Sequence, residues 1–287
     1  MNPVIEQMLG QYGTDTLFKK KNSIKEVIQE ITLCGLSRAG FFSKAAFYGG
    51  TALRIFYGLD RFSEGLDFSL KVPDPSFDFS EYLPLLEKEV NSYGLKFNAE
   101  IKEKSVDSNI KSAFMKGNTK EHMLMFYSDE GFIPSIPANE LIKVKFEVDI
   151  NPPVYAGFET KYRLLPIPYE IGLYDMPSLF AGKIHAILCR TGKNRVKGRD
   201  LYDYIFYLSR GTDVNLRHLA ARLVQSGRID EDTGLSIGDV KEMLKERFDS
   251  IDYSRTRQDV LPFIANPASL DVWKAEFFNS ISEGLEA

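Results

Sequence analysis

The stretch Phe47-Tyr-Gly-Gly-Thr-Ala-Leu-Arg-Ile-Phe-Tyr-Gly-Leu-Asp-Arg-Phe-Ser-Glu-Gly-Leu-Asp-Phe-Ser-Leu70 reads as a strand, a glycine turn, a helix and a second strand. An apolar run ends at Gly49 and Gly50, Thr51 to Tyr57 is compatible with a helix, and Leu66-Asp67-Phe68 alternates as a strand does. Glycines let a backbone approach a bound group closely, and the amides at the start of the next helix suit a phosphate. Asp67, on the following strand, is placed to hold the cation that accompanies such a phosphate. Two adjacent glycines also open ordinary strand-to-helix turns. The ordered combination with Arg61, Ser63 and Asp67 is what points to chemistry.

A second informative strand is Ile142-Lys-Val-Lys-Phe-Glu-Val-Asp-Ile150, in which Lys143, Lys145, Glu147 and Asp149 share one face and the apolar residues share the other. Four charges on a sheet face are ordinary where that face is wet. They also match a metal–phosphate site, since carboxylates hold magnesium and lysine neutralises phosphate. Further along, Lys183, Arg190, Lys193, Arg195, Lys197 and Arg199 form a basic run with no acid among them. Gly198-Arg-Asp-Leu-Tyr-Asp-Tyr204 follows, with Leu201, Ile205 and Leu208 as a buried stripe and Asp200 and Asp203 able to share a face. Capping and ion pairing account for these charges as readily as a site does.

The remaining elements follow from periodicity. Ser23-Ile-Lys-Glu26 has capping-box spacing and predicts a helix ending near Gly35; residues 1–22 predict a short helix or arm, and Ala39 to Ala45 a second short helix. Phe79 to Asn91 predicts a helix, while Leu95 to Ile101, Ser112 to Met115 and His122 to Phe126 predict strands. The proline-rich Leu164 to Tyr169 region reads as a connection, and Ser178 as the cap of a helix through Leu188. Helices over about Leu216 to Gln225, Ile237 to Phe248 and Leu270 to Ile281 complete the chain.

Composition narrows the function classes. With 44% hydrophobic and 26% charged residues, 287 residues supply an ample core and no apolar run long enough for a bilayer. The N-terminus lacks signal-peptide character, so a cytoplasmic location without membrane attachment is expected. A net charge of −4 argues against coating nucleic acid through the overall field. Cys34 and Cys189 read as buried structural thiols, and His122, His185 and His218 show no zinc spacing.

Gly49-Gly50-Thr51-Ala52-Leu53 with Arg61-Phe62-Ser63-Glu64-Gly65-Leu66-Asp67-Phe68 resembles motif I of the nucleotidyltransferase superfamily and, more narrowly, the AbiEii toxin family of type IV toxin–antitoxin systems. That family reads Ser-Glu-Asp-Leu-Asp-Phe here, and Gly65 stands in place of the first Asp. Lys145-Phe-Glu147 resembles the family's Lys-x-Asp/Glu element, and Lys183, Arg190 and Arg199-Asp200-Leu-Tyr-Asp203 resemble its C-terminal signature.

The resemblance implies an α+β nucleotidyltransferase-like mixed sheet with flanking helices over residues 1–172, and an α-helical domain over 173–287. It implies transfer of a nucleotide from a nucleoside triphosphate, with magnesium or manganese, to an acceptor such as RNA, tRNA included, with a protein or a small molecule as the alternative acceptor. A cognate antitoxin is the implied partner. In that scheme Gly49, Gly50, Thr51, Lys145, Arg190 and Arg199 bind nucleotide, while Asp67, Glu147 and Asp149 bind metal. Asp67, Lys183, Asp200 and Asp203 are the catalytic candidates, with the two C-terminal acids either taking a proton or orienting the basic residues. The missing acid leaves two rescues open, Asp149 on the shared face or Glu64 re-aimed by a bulge, and it leaves open a non-catalytic binding protein that keeps the fold.

Overall fold

The strands flanking the glycine turn pair into a seven-stranded mixed sheet. In chain order they are β1 (Ala45–Tyr48), β2 (Gly65–Leu70), β3 (Asn98–Lys102), β4 (Ile110–Asn118), β5 (Leu141–Asp149), β6 (Phe158–Arg163) and β7 (Tyr169–Tyr174). The spatial order is β3-β4-β5-β2-β1-β7-β6. β2 lies antiparallel to β1 and parallel to β5, and β1 is parallel to β7. In β5 the residues Ile142, Val144, Phe146 and Val148 are buried while Lys143, Lys145, Glu147 and Asp149 alternate with them, which is the period-two pattern of the sequence.

The computed structural model describes residues 2–13, 15–102, 109–127, 133–190, 196–232 and 234–287. Two compact units emerge: Met1–Thr51 with Glu64–Pro152 and Thr160–Leu173, and Ala52–Ser63 with Pro153–Glu159 and Tyr174–Ala287. The long C-terminal segment of the second unit thus begins at Tyr174, and two short earlier stretches belong to it as well.

In the first unit, helices α1 (Pro3–Leu9) and α2 (Leu17–Arg38) precede the sheet, and α2 packs on β5. The expected start at Ser23 is a correction: Thr16 caps α2 by accepting the Lys19 amide at 3.2 Å. Ser23 and Glu26 are buried mid-helix, and the Ser23 hydroxyl donates to the Lys20 carbonyl at 2.8 Å. Only a 3₁₀ turn, Phe41–Ser43, forms where a second short helix was expected, since Gly40 at φ +73° breaks the chain's course. Helix α3 (Gly49–Tyr57) follows the glycine turn and α4 (Leu83–Ser92) follows β2. Phe41 is the hub of the core, meeting Phe68, Tyr82 and Phe79 edge-on with centroids 5.0, 5.1 and 5.8 Å away.

The strand expected at His122–Phe126 is instead helix α5 (Thr119–Phe126). Asn118 ends β4 and caps the helix, its side chain accepting the Glu121 amide at 2.9 Å, so His122 and Met123 turn inward while Leu124 is exposed. The expected connection at Leu164 to Tyr169 joins two strands that the periodicity did not predict, β6 and β7. β7 alternates in burial from Tyr169 to Leu173, and a Cβ at Gly172 would lie against the Phe42 and Ala45 carbonyls.

The second unit holds α6 (Met176–Cys189), α7 (Gly198–Ser209), α8 (Leu216–Gln225), α9 (Ile237–Asp249), α10 (Tyr253–Val260) and α11 (Ala275–Ser282). Asp175, rather than Ser178, caps α6, accepting the Ser178 amide at 2.9 Å; Ser178 is buried and accepts from the Gly157 amide instead. The last expected helix, Leu270 to Ile281, begins only at Ala275: a 3₁₀ turn, Pro267–Leu270, ends at its expected first residue and a non-helical turn fills 271–274. Phe180 stacks on Tyr207 at 4.6 Å, and Phe248, Phe278 and Trp273 continue the aromatic core. Cys34 is buried as expected, but Cys189 at the end of α6 is only half-buried; both are reduced thiols. No helix among the described residues is long and apolar enough to cross a membrane.

Candidate functional site

In the first unit the site is built where β1 hands over to α3. Gly49 has φ +84°, a conformation L side chains rarely adopt, and a Cβ there would come 2.8 Å from Asp67 Oδ2. The glycine therefore lets the start of α3 sit directly beside the Asp67 carboxylate. Gly50 follows with partial exposure, so the first amides of α3 remain at a surface. Thr51 is buried, and its hydroxyl donates to the Gly65 carbonyl, tying the helix start to β2.

Strand register then fixes the acids. Asp67 lies opposite Glu147, Gly65 opposite Lys145, and Ser69 opposite Asp149. Asp67 and Glu147 are thus neighbours on adjacent parallel strands and both are partly exposed. Lys145 Nζ lies 2.6 Å from Glu147 Oε2, and the Ser112 hydroxyl donates to Glu147 Oε1 at 3.3 Å. Asp149 sits two pairs further along, where its Oδ1 accepts the Asn151 amide at 3.0 Å and shapes the strand end. Glu64 precedes β2 and faces Lys25 at 3.6 Å.

Among the described residues, no three His, Cys, Asp or Glu side chains converge as a metal-holding group. Magnesium is commonly held by one or two carboxylates, with substrate phosphate and water completing its shell. The adjacent pair Asp67 and Glu147, beside a backbone cradle that a Cβ would fill, fits such a cation. It does not supply the further carboxylate that an Asp at 65 would give.

In the second unit the C-terminal signature forms a chain of ion pairs. Arg61 Nε donates to Asp203 Oδ1 and Arg61 Nη2 to Asp203 Oδ2, both at 2.6 Å. Lys183 Nζ lies 2.8 Å from Asp203 Oδ2 and 2.9 Å from Asp200 Oδ1, and Arg190 pairs with Asp200 Oδ2. The helical spacing of Asp200 and Asp203 on α7 turns both carboxylates to Lys183 on α6. Burial alone would push the Asp203 carboxyl up, but Arg61 and Lys183 outweigh it and hold it below the usual carboxylate range. Asp200 behaves likewise, with burial opposed by Lys183 and Arg190. Arg61 is itself raised, the pull of Asp203 exceeding the cost of burial.

Within the first unit the structure gathers Gly49, Asp67, Glu147 and Lys145, and within the second it gathers Lys183, Arg190, Asp200 and Asp203. Arg199 takes a different course and lies over the Phe263 ring at 4.3 Å. Lys193 and Arg195 of the basic run lie outside the described residues. The residue without an assigned role that emerges is Arg61. Its place inside the motif was a signal, but its partner stands 142 positions away in sequence.

A family model described as "Nucleotidyl transferase AbiEii toxin, Type IV TA system" matches residues 31–276. MenT4, a nucleotidyltransferase toxin from Mycobacterium tuberculosis H37Rv, shares the fold with a TM-score of 0.57 at 15% identity, over 100% of this chain and 91% of that one. Two Helicobacter pylori structures, one assigned as a nucleotidyltransferase and the other JHP933, give TM-scores of 0.45 and 0.43, each at 17% identity. The alignments cover 89% and 92% of this chain and 90% and 88% of theirs. No curated protein matches the chain. With the family match spanning most of its length, the chain belongs to the AbiEii nucleotidyltransferase toxin family of type IV toxin–antitoxin systems.

Proposed function

We propose that this chain transfers a nucleotide from a nucleoside triphosphate to an RNA acceptor, tRNA being one candidate, in a cytoplasmic toxin–antitoxin pair. The observation that carries the reading is the pairing of Asp67 with Glu147 beside the Gly49 turn at the start of α3. The α3 amides and the Lys145 ammonium receive phosphate oxygens. Asp67 and Glu147 hold magnesium or manganese, with Asp149 as an outlying acid. The bound cation supplies charge neutralisation on the triphosphate. The acceptor hydroxyl attacks the α-phosphorus and gives up its proton to solvent, a new P–O bond forms, and the bond to the β-phosphate oxygen breaks to release pyrophosphate.

Lys183 and Arg190 neutralise phosphate charge, drawing on an ion-pair chain in which three cations face two carboxylates. Asp200 and Asp203 orient those cations. A carboxylate whose oxygens are engaged by arginine and lysine, and whose pKa is depressed, is a poor proton acceptor. A cognate antitoxin restrains the activity in the cell.

Incubating the purified chain with each α-labelled nucleoside triphosphate, magnesium or manganese, and either total RNA or protein tests the reading. Label on RNA, abolished by Asp67→Asn, is the expected result. Label on protein alone overturns the choice of acceptor. A second reading is favoured by Gly65: a binding protein that retains nucleotide affinity without transfer. Binding of nucleotide with no labelled product under any of these conditions selects it.

A further inference from the structure

Arg61 is 3% exposed in its side chain, so it meets no ligand in this conformation, yet both arms of its guanidinium are spent on one carboxylate. Its remaining Nη1 donates to the Phe62 carbonyl at 3.0 Å, and the Phe62 amide donates to the Phe263 carbonyl at 2.8 Å. The loop is thereby fixed on both sides of the arginine. Next to it, the Tyr202 hydroxyl donates to Asp60 Oδ1 at 2.8 Å, so residues 60 and 61 are joined to residues 202 and 203 of α7.

The ion-pair chain has a simple logic. Lys183 is shared between two acids, and each acid is anchored by its own arginine: Asp203 by Arg61, and Asp200 by Arg190. An ammonium on a four-carbon stem has many rotamers, and its freedom is removed only when its acceptors are fixed. Asp203 is fully buried and must stay paired, so without Arg61 it would claim Lys183 alone and draw the ammonium inward. Lysine in place of Arg61 preserves charge but cannot reproduce the planar two-point grip.

We propose that Arg61 is a positioning residue for nucleotide transfer, acting through Asp203 to fix the ammonium of Lys183. The proposal rests on the assignment of Lys183 to phosphate neutralisation given above. It adds to motif I a role distinct from the glycine turn and the acid strand: one residue of the motif serves the C-terminal basic site.

A double-mutant cycle on the full-length chain tests it, with the affinity of each of the four nucleoside triphosphates plus magnesium measured by calorimetry. Arg61→Met and Lys183→Met are each expected to weaken binding by about tenfold, or about 1.4 kcal/mol, and the double variant no more than Lys183→Met alone. Arg61→Lys is expected to recover part of the loss. Tyr202→Phe, which loosens the same loop without touching the ion pairs, is expected to bind as the wild type does.

Losses that multiply in the double variant overturn the relay, as does a folded Arg61→Met of full affinity. A loss in Tyr202→Phe equal to that in Arg61→Met overturns it too, because loop stability would then be the cause. Should Arg61→Met not fold, Arg61→Lys takes its place, and its loss must vanish in the Lys183→Met background. Wild-type affinity in Lys183→Met removes both the role of that lysine and this proposal, whereas a clear loss there with independent Arg61 effects removes the proposal alone.

Discussion

The acids on the sheet and the acids on α7 are the same chemical groups put to opposite uses. Asp67 and Glu147 keep partial exposure on a face that borders a backbone cradle, with Glu147 paired to the partly exposed Lys145, whereas Asp200 and Asp203 are buried and each is engaged by an arginine as well as by Lys183. The first pair is arranged so that a cation can be added. The second is buried against three cations of the protein itself, and what it yields is the fixed position of those groups. Stability and function should therefore separate cleanly between the two places.

The sharpest way to break this contrast is to remove one acid from each. Asp203→Ala leaves Arg61 and Lys183 facing each other in a buried site, and loss of one partner of a buried pair costs about 3–5 kcal/mol. Asp67→Asn, partly exposed and similar in shape, should cost less than about 1 kcal/mol while abolishing magnesium-dependent nucleotide binding. Denaturant melts and calorimetry on both variants measure the two effects. Equal destabilisation by the two substitutions would dissolve the distinction drawn here.

Acid sharpens the comparison because the second unit also holds a half-buried His185 and a buried His218, both lowered to about 4, chiefly by desolvation and then by Arg222. Between the ordinary value of 6.5 and about 4, the unfolded chain binds more protons than the folded one. Stability therefore falls as pH drops through that window, by at most about 1.4 kcal/mol per unit for each histidine. The Asp200 and Asp203 contributions are present above the unfolded carboxylate value of 3.8 and are lost only as pH falls through their lower folded values. Thermal melts from pH 7 to 4 should show the decline, with His218→Gln making it shallower. A melting temperature that is flat over this range would contradict the assignment.

How much of this was legible in the sequence depends on the range of each signal. The glycine turn, the Asp67 strand and the charged face of β5 are local patterns, and all three stand in the structure where the residues put them. The α7 signature and its two acids are local too. Capping was read less well: Ser23-x-x-Glu26 has the right spacing but lies inside α2, because Thr16 offers an earlier cap and the intervening residues sustain the helix. Met- and aromatic-rich His122–Phe126 carries strand propensity, which the Asn118 cap overrides. Arg61 could be noticed but not explained. Its pairing with Asp203 exists only after the chain has folded.

The turn itself offers the next test. Gly49→Ala must adopt φ near +84° and place its Cβ 2.8 Å from Asp67 Oδ2. The backbone penalty is about 1–2 kcal/mol, and the carboxylate must move as well. Nucleotide affinity should fall more than stability does. If Gly49→Ala binds nucleotide as tightly as the wild type, the cradle is not where phosphate approaches.

The smallest change expected is a gain, at Gly65. Its backbone is not in the left-handed region, and a Cβ there would meet only the Lys145 carbonyl oxygen at 3.5 Å, an ordinary contact. The strand can therefore accept an aspartate, which would lie two residues from Asp67 and on its face. Asp149 is a weaker stand-in. It lies two pairs beyond Glu147 and its Oδ1 is engaged by the Asn151 amide. Glu64 lies before the strand and faces Lys25. Gly65→Asp should consequently raise magnesium-dependent transfer by about tenfold, equivalent to about 1.4 kcal/mol of barrier, while Asp149→Asn and Glu64→Gln each lower it by about threefold or less. Initial rates with labelled nucleoside triphosphate across a magnesium titration measure all three. A large loss in Asp149→Asn with no gain in Gly65→Asp would show that the outlying acid already completes the site, and that the sheet is less sparing of its carboxylates than its register suggests.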